Sequence, residues 1–203
     1  MGRHRLFTEA RPRDRTAHSV TAGVLLTGGT SRRMATDKAR IEWNGETLSV
    51  RAARVLSEVC DPVVEVGSGA SGLACVREDP AGSGPLAALV AGAHAIAPNG
   101  PVVLLACDLP FVDPAVIRLL AEWPGKPTVI PVVDGRRQFA CARYGADALE
   151  RARVALAAGD LSLRAAGGGD VDELSEAEWR AVGGAQTFAD VDTPADLRRL
   201  GLS

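Results

Sequence analysis

Hydrophobic positions in this chain fall into short continuous runs, and the stretches between them carry apolar residues at helical spacing. Residues 23–27 (GVLLT) form such a run, the pattern of a strand buried on both faces. Residues 62–66 predict a second strand and 73–76 a weaker third; 101–106 (PVVLLA) is the clearest buried strand. Further strands are expected at 128–133, 138–144 and 186–191. The helical patterns lie at about 47–59, at 83–97 with its start at Gly84-Pro85, from Asp113-Pro114 to Trp123, at 146–158, and after Thr193-Pro194. At the third of these, Asp113 is the expected N-cap and Pro114 the first helical residue. Asn44-Gly45 and Asp134-Gly135 read as turns, the second making 138–144 antiparallel to 128–133. From Gly167-Gly168-Gly169 to Gly184 the pattern fades, as in a mobile surface loop or a substrate lid. Strands alternating with helices predict an α/β fold, a three-layer sandwich with a mostly parallel, Rossmann-like sheet carrying an antiparallel strand. Neither a repeat nor a linker divides it.

Composition adds limits. A chain of 203 residues with 46% hydrophobic and 24% charged positions suits one soluble domain with a full core. No apolar run approaches the roughly 18 residues of a membrane helix, so no membrane association is expected. Residues 1–21 hold Arg3, Arg5, Arg11, Arg13 and Arg15 against Glu9 and Asp14, with no apolar stretch, and read as a disordered basic leader before a domain at 22–203. That leader carries +3, so the domain is near −5 within a total of −2. An acidic domain is a poor nucleic-acid binder, because phosphate neutralisation needs many cations. Cys60, Cys75, Cys107 and Cys141 show no CxxC or Cys/His spacing, which leaves each as a small buried hydrophobe and cytoplasm as the default location.

The chemistry concentrates in the loop from Thr27 to Lys38, TGGTSRRMATDK, directly after the first strand. It is neither a P-loop nor a dinucleotide fingerprint. Gly28 and Gly29 let backbone N–H groups approach phosphate oxygens, Arg32 and Arg33 offer forked donors, and Lys38 a compact charge. Of 23 basic residues only Lys38 and Lys126 are lysine, so lysine at the end of this loop is selective. By chemistry alone the loop fits phosphate binding and a solvated polar loop equally. Asp108 follows the clearest strand, at the carboxyl edge where open α/β sheets place ligands; it could ligate Mg²⁺ or simply turn the chain before Leu109-Pro110.

The run LLTGGTSRRMATDKA resembles the opening motif of the molybdenum cofactor guanylyltransferases, in a wider nucleotidyltransferase family that reads LAGGxSxRMGxDKA. LLACDLPFVDP, residues 104–114, is similar to that family's metal-binding strand end. Glu78-Asp79 with Gly84-Pro85-Leu86-Ala87-Ala88, then Asp134-Gly135-Arg136-Arg137-Gln138, Ala158-Gly159-Asp160 and Asp190-Val191-Asp192-Thr193-Pro194 resemble later landmarks in family order. The resemblance implies transfer of GMP from Mg·GTP to molybdopterin with release of pyrophosphate, and molybdoenzymes or delivery proteins as partners. It assigns Leu26, Thr27, Gly28 and Gly29 to backbone contacts with base and phosphates, Arg33 and Lys38 to the triphosphate, Asp79 to the nucleoside and Asp108 to Mg²⁺. Arg33, Lys38 and Asp108 would form the catalytic set, and Arg136, Arg137, Asp190 and Asp192 are candidates for the second substrate.

Departures from the motif bear on these roles. The family has asparagines where this chain has Asp190 and Asp192; these carboxylates either help ligate Mg²⁺, or Asp192 caps the last helix, the reading preferred here. Arg136 and Arg137 also fit plain exposure in a hairpin. Ala35 replaces a glycine, at a cost of about 1 kcal/mol or more if that position needs positive φ. Thr27 replaces an alanine and adds a hydroxyl where the base would approach, and Val66 stands where some members carry a base-contacting asparagine. The alternatives are a cytidylyltransferase, a sugar-phosphate nucleotidyltransferase, or a nucleotide-binding protein without turnover.

Overall fold

The structure is a computed structural model that describes residues 21–28 and 37–202. The expectations for residues 1–20 and for 29–36, including Gly29, Arg33 and Ala35, lie outside the described residues.

The elements run β1 (Ala22–Leu26), a 3-10 turn (Lys38–Arg40), β2 (Glu42–Trp43), β3 (Glu46–Thr47), α1 (Leu48–Ser57), β4 (Val63–Val66), β5 (Cys75–Val76), α2 (Pro85–Ile96) and β6 (Val102–Ala106). Then come α3 (Pro114–Ala121), β7 (Val129–Val133), β8 (Arg136–Arg137), β9 (Cys141–Tyr144), α4 (Ala146–Ala157), α5 (Leu163–Ala166), β10 (Asp172–Leu174), α6 (Glu176–Arg180) and α7 (Pro194–Arg199). The sheet order is β10-β7-β9-β6-β1-β4-β5, with β8 attached to β7. β1 pairs parallel with both β4 and β6, whereas β9 runs antiparallel between β6 and β7. This is the expected mostly parallel α/β sheet with an antiparallel insertion.

Side-chain alternation along the central strands divides the core into two layers. Leu25, Val103 and Leu105 face α1, α3 and α6, packing with Leu56, Ile117, Leu120 and Trp179. Val24, Leu26, Val102 and Leu104 face α2, α4 and α5, packing with Leu86, Leu89, Leu149 and Leu163. Gly92 lets α2 lie close on the sheet: a Cβ there would come 2.7 Å from Val24 Cγ1. Asp113 and Pro114 open α3 as the sequence predicts, with the Asp113 carboxylate accepting from Ala115 N at 2.8 Å. Asp134 and Gly135, at φ 48° and 71°, make the hairpin turn between β7 and β8.

Five expectations are corrected. The stretch 167–184 is not an unpatterned loop: β10 extends the sheet parallel to β7, and α6 buries Trp179 completely, its indole N–H donating to Val132 O at 2.9 Å. Residues 186–191 form no strand but a run of turns, in which Ala189 N bonds Gln186 O at 2.8 Å and Phe188 packs edge-on against Trp179. Cys75 is exposed, while Cys60, Cys107 and Cys141 are buried as expected. Asp192 is not the cap of α7. Thr193 is, accepting from Asp196 N, with Asp196 bonding back to complete a capping box. Thr21, placed in the leader by its sequence, is buried, and its carbonyl accepts from Asp61 N at 3.1 Å.

Candidate functional site

β1 and β6 lie side by side and parallel, and the strand order reverses between them: the chain goes from β1 through α1 to β4 and β5 on one side, then returns through α2 to β6 on the other. Open α/β sheets bind ligands in the crevice at the carboxyl ends of strands beside such a reversal. Thr27 and Gly28 leave β1 at this point and Asp108 leaves β6; the Cys107 N–H still reaches Leu26 O at 3.0 Å.

The C-terminal segment closes one side. Val191 N donates to Asp108 O at 3.0 Å, and Val191, Leu200 and Leu202 pack with Ile41, Leu48 and Trp43. Asp37 starts the 3-10 turn by accepting from Ala39 N, so Lys38 is delivered to the crevice on a fixed backbone. The Lys38 ammonium then lies between two carboxylates, 3.1 Å from Asp108 Oδ2 and 2.5 Å from Asp192 Oδ1. Its side chain is 14% exposed, against 27% for Asp108 and 53% for Asp192. Burial pulls the lysine pKa down, but the bond to Asp192 and the attraction of both carboxylates outweigh it, leaving the pKa raised. Lys38 is a fully charged ammonium here. Asp190 enters the same electrostatic field: loss of solvent, then repulsion by Asp192 and Asp108, raises its carboxyl above the ordinary range.

The structure thus gathers Leu26, Thr27, Gly28, Lys38, Asp108, Asp190 and Asp192 at one edge. Asp79 lies in the exposed loop after β5, and its neighbour Glu78 comes nearer the crevice: a Cβ on Gly28 would stand 3.9 Å from Glu78 Oε1. Arg136 and Arg137 lie on β8, which pairs with β7 and with neither β6 nor β1. Arg137 is engaged by Glu173 at 2.7 Å and by Gly167 O at 3.3 Å, and both arginines are exposed. The Thr27 hydroxyl does not meet the crevice as its sequence position implied. It donates to Glu65, a buried carboxylate on β4 that the sequence reading passed over. A glutamate inside an otherwise all-valine strand was the signal available.

A metal fits this donor set in kind. Asp108, Asp190 and Asp192 offer hard oxygen ligands, and Mg²⁺ needs only one or two carboxylates when substrate phosphates complete its shell. Among the described residues no group of three His, Cys, Asp or Glu side chains is close enough to hold an ion unaided.

A loop-bearing strand and a carboxylate-bearing strand at the switch point of such a sheet define a nucleotide-handling α/β domain. The chain belongs to the MobA-like NTP transferase domain family, whose model matches residues 23–170, and it is a nucleotidyltransferase. It is 32% identical over 191 residues to a probable molybdenum cofactor guanylyltransferase of Mycobacterium avium, covering 88% of this chain and 94% of that protein. In fold it is similar to the molybdopterin-guanine dinucleotide biosynthesis protein A of Archaeoglobus fulgidus (TM-score 0.72, 24% identity, 88% of this chain and 96% of that one). Its fold is also similar to that of Rv0371c of Mycobacterium tuberculosis, solved as a manganese complex (TM-score 0.64, 20% identity, 89% of this chain and 97% of that one).

Proposed function

We propose that this enzyme transfers GMP from Mg·GTP to molybdopterin, giving the guanine dinucleotide form of the cofactor and pyrophosphate. The observation that carries the reading is Lys38 held with Asp108 at the β1/β6 switch point. Support for guanine and molybdopterin comes from the name of the Mycobacterium avium relative and for a divalent metal from the manganese complex.

A phosphate oxygen of molybdopterin attacks the α-phosphorus of GTP. The new P–O bond forms as the bond to the β-phosphate bridging oxygen breaks, and the electron pair leaves with pyrophosphate. No covalent enzyme intermediate is needed, so the work is alignment and charge neutralisation. Gly28 offers backbone without side-chain obstruction, and Asp79 is assigned to the nucleoside. Lys38 supplies positive charge to the phosphates, joined by Arg33 and Gly29 from the loop outside the described residues. Asp108 would hold Mg²⁺, with Asp190 and Asp192 beside it; a bound Mg²⁺ supplies charge neutralisation at the phosphates. With Asp108 holding the ion, Lys38 would keep Asp192 as its anchor and have donors available to substrate. Arg137 is occupied by Glu173 and Gly167, which leaves Arg136 the freer of the two for a second-substrate phosphate.

The domain is proposed to begin at Thr21, one residue earlier than its sequence suggests, after a basic leader, and to act in the cytoplasm. No described helix is long and apolar enough to cross a membrane. Asp108→Ala tests the assignment. Turnover is expected to fall by at least about a hundredfold, as for loss of one preorganised electrostatic group, while the thermal transition stays cooperative. Wild-type activity in that variant would remove Asp108 from the site. Stabilisation by Mg·GTP without pyrophosphate release in the wild type would instead favour a binding protein.

A further inference from the structure

β4 carries a glutamate, Glu65, with no exposure to solvent. A buried carboxylate is costly unless its oxygens are satisfied, and here neutral donors satisfy them. Oε1 accepts from the Thr27 hydroxyl, from Gly69 N at 2.6 Å and from Ala70 N at 3.0 Å. Oε2 accepts from Ser71 N at 2.9 Å and from the Ser71 hydroxyl. Thr27 Oγ1 accepts in turn from Ser68 N at 3.0 Å. Burial raises the Glu65 pKa, but the bonds from Ser71, Thr27 and the backbone outweigh it, so the group is held ionised.

This cluster ties the turn 67–71 to the first residues of the nucleotide loop. Gly67, at φ 140°, is pressed so closely on that loop that a Cβ would fall 2.2 Å from Gly28 N. The position of the turn therefore depends on Glu65 and on a hydroxyl that the related motif, with alanine in place of Thr27, does not have.

We propose that Glu65 and the Thr27 hydroxyl form a clasp that positions the 67–71 turn as the wall of the nucleotide pocket beside Gly28. Both are positioning residues, acting through backbone that meets the nucleoside. The inference rests on the nucleotidyltransfer reading above.

The test compares wild type with Thr27→Val, which keeps the shape and removes the hydroxyl, and Thr27→Ser, which restores it. Pyrophosphate release with Mg·GTP and molybdopterin gives KM and kcat, calorimetry gives the Kd for Mg·GTP, and hydrogen exchange reports the amides of residues 68–71. In Thr27→Val, KM and Kd are expected to rise about tenfold, the worth of roughly one buried hydrogen bond. Its kcat should stay within about twofold and exchange at 68–71 should quicken, while Thr27→Ser returns all readouts to near wild type. A folded Thr27→Val with unchanged KM and Kd overturns the clasp, as does a rise in either without faster exchange. Should wild type bind Mg·GTP but release no pyrophosphate, the transfer reading fails, and Kd with exchange still decides the clasp. Glu65→Gln serves as the second variant if Thr27→Val does not fold, with the same outcomes required.

Discussion

Lys38 shows how one position takes its meaning from three separate parts of the chain. Its own turn is set by Asp37, its inner partner Asp108 comes from the end of β6, and its outer partner Asp192 from the segment before α7. Asp192 is about half exposed, so its pairing contributes on the order of 0–1 kcal/mol after solvent screening. Asp192→Asn keeps the Thr193 cap, frees the lysine on one side and removes an anion from the path of an anionic substrate. The KM for GTP is expected to fall by up to about fivefold with stability changed by less than about 1 kcal/mol. Steady-state kinetics beside a urea titration measure both, and a raised KM would place Asp192 among the metal ligands instead. Glu65 supplies a pH test. Its folded pKa lies below the ordinary 4.5, so the stability it contributes is present above that pH and is lost as pH falls through the folded value. The stability gap between wild type and Glu65→Gln should be flat from about pH 5 to 8 and shrink below about 4.5. Urea midpoints across that range check it; a gap that widens on acidification contradicts an ionised Glu65.

Elements with strong local patterns were legible, and those whose identity depends on distant partners were not. The runs at 23–27 and 101–106 became β1 and β6 because continuous apolar residues need burial on both faces. β10 went unread since Asp172-Glu173-Leu174 has one apolar residue, and its edge position beside β7 is set by main-chain pairing and by Asp172 accepting from Trp123 Nε1 and Lys126 N. Residues 186–191 alternate like a strand, yet their apolar members pack against α6 and the site, and turns satisfy the backbone instead. In the site, Asp108 was legible from its strand end and Lys38 from its rarity. Asp192 was misread as a cap because Asp and Thr both suit that role, and only the Asp196 partner decides between them. Two variants test the packing. Trp179→Ala should cost about 3–5 kcal/mol, since it empties a fully buried site and orphans Val132 O. Gly92→Ala should cost about 1–3 kcal/mol despite alanine's helix preference, because its methyl would press on Val24. Denaturant unfolding measures both; near-neutral values would mean that α6 or α2 packs more loosely than described.

At the scale of the whole molecule, the fold explains why residues from opposite ends of the chain meet. The reversal of strand order at β1 and β6 opens the crevice, and the C-terminal segment returns to it through the Val191 to Asp108 backbone bond. On the proposed reading the same geometry would serve any nucleoside triphosphate whose phosphates need a lysine and a metal-holding carboxylate, so architecture alone does not choose the base. Under the proposal made above, that choice would fall to the wall beside Gly28, which the Glu65 cluster holds in place. The central claim is guanylyl transfer to molybdopterin, and one measurement meets it directly: pyrophosphate release by the purified enzyme with Mg²⁺, molybdopterin and each of GTP, CTP, ATP and UTP in turn. Release is predicted with GTP alone and only when molybdopterin is present; equal or faster release with CTP, or none with GTP, would contradict the account.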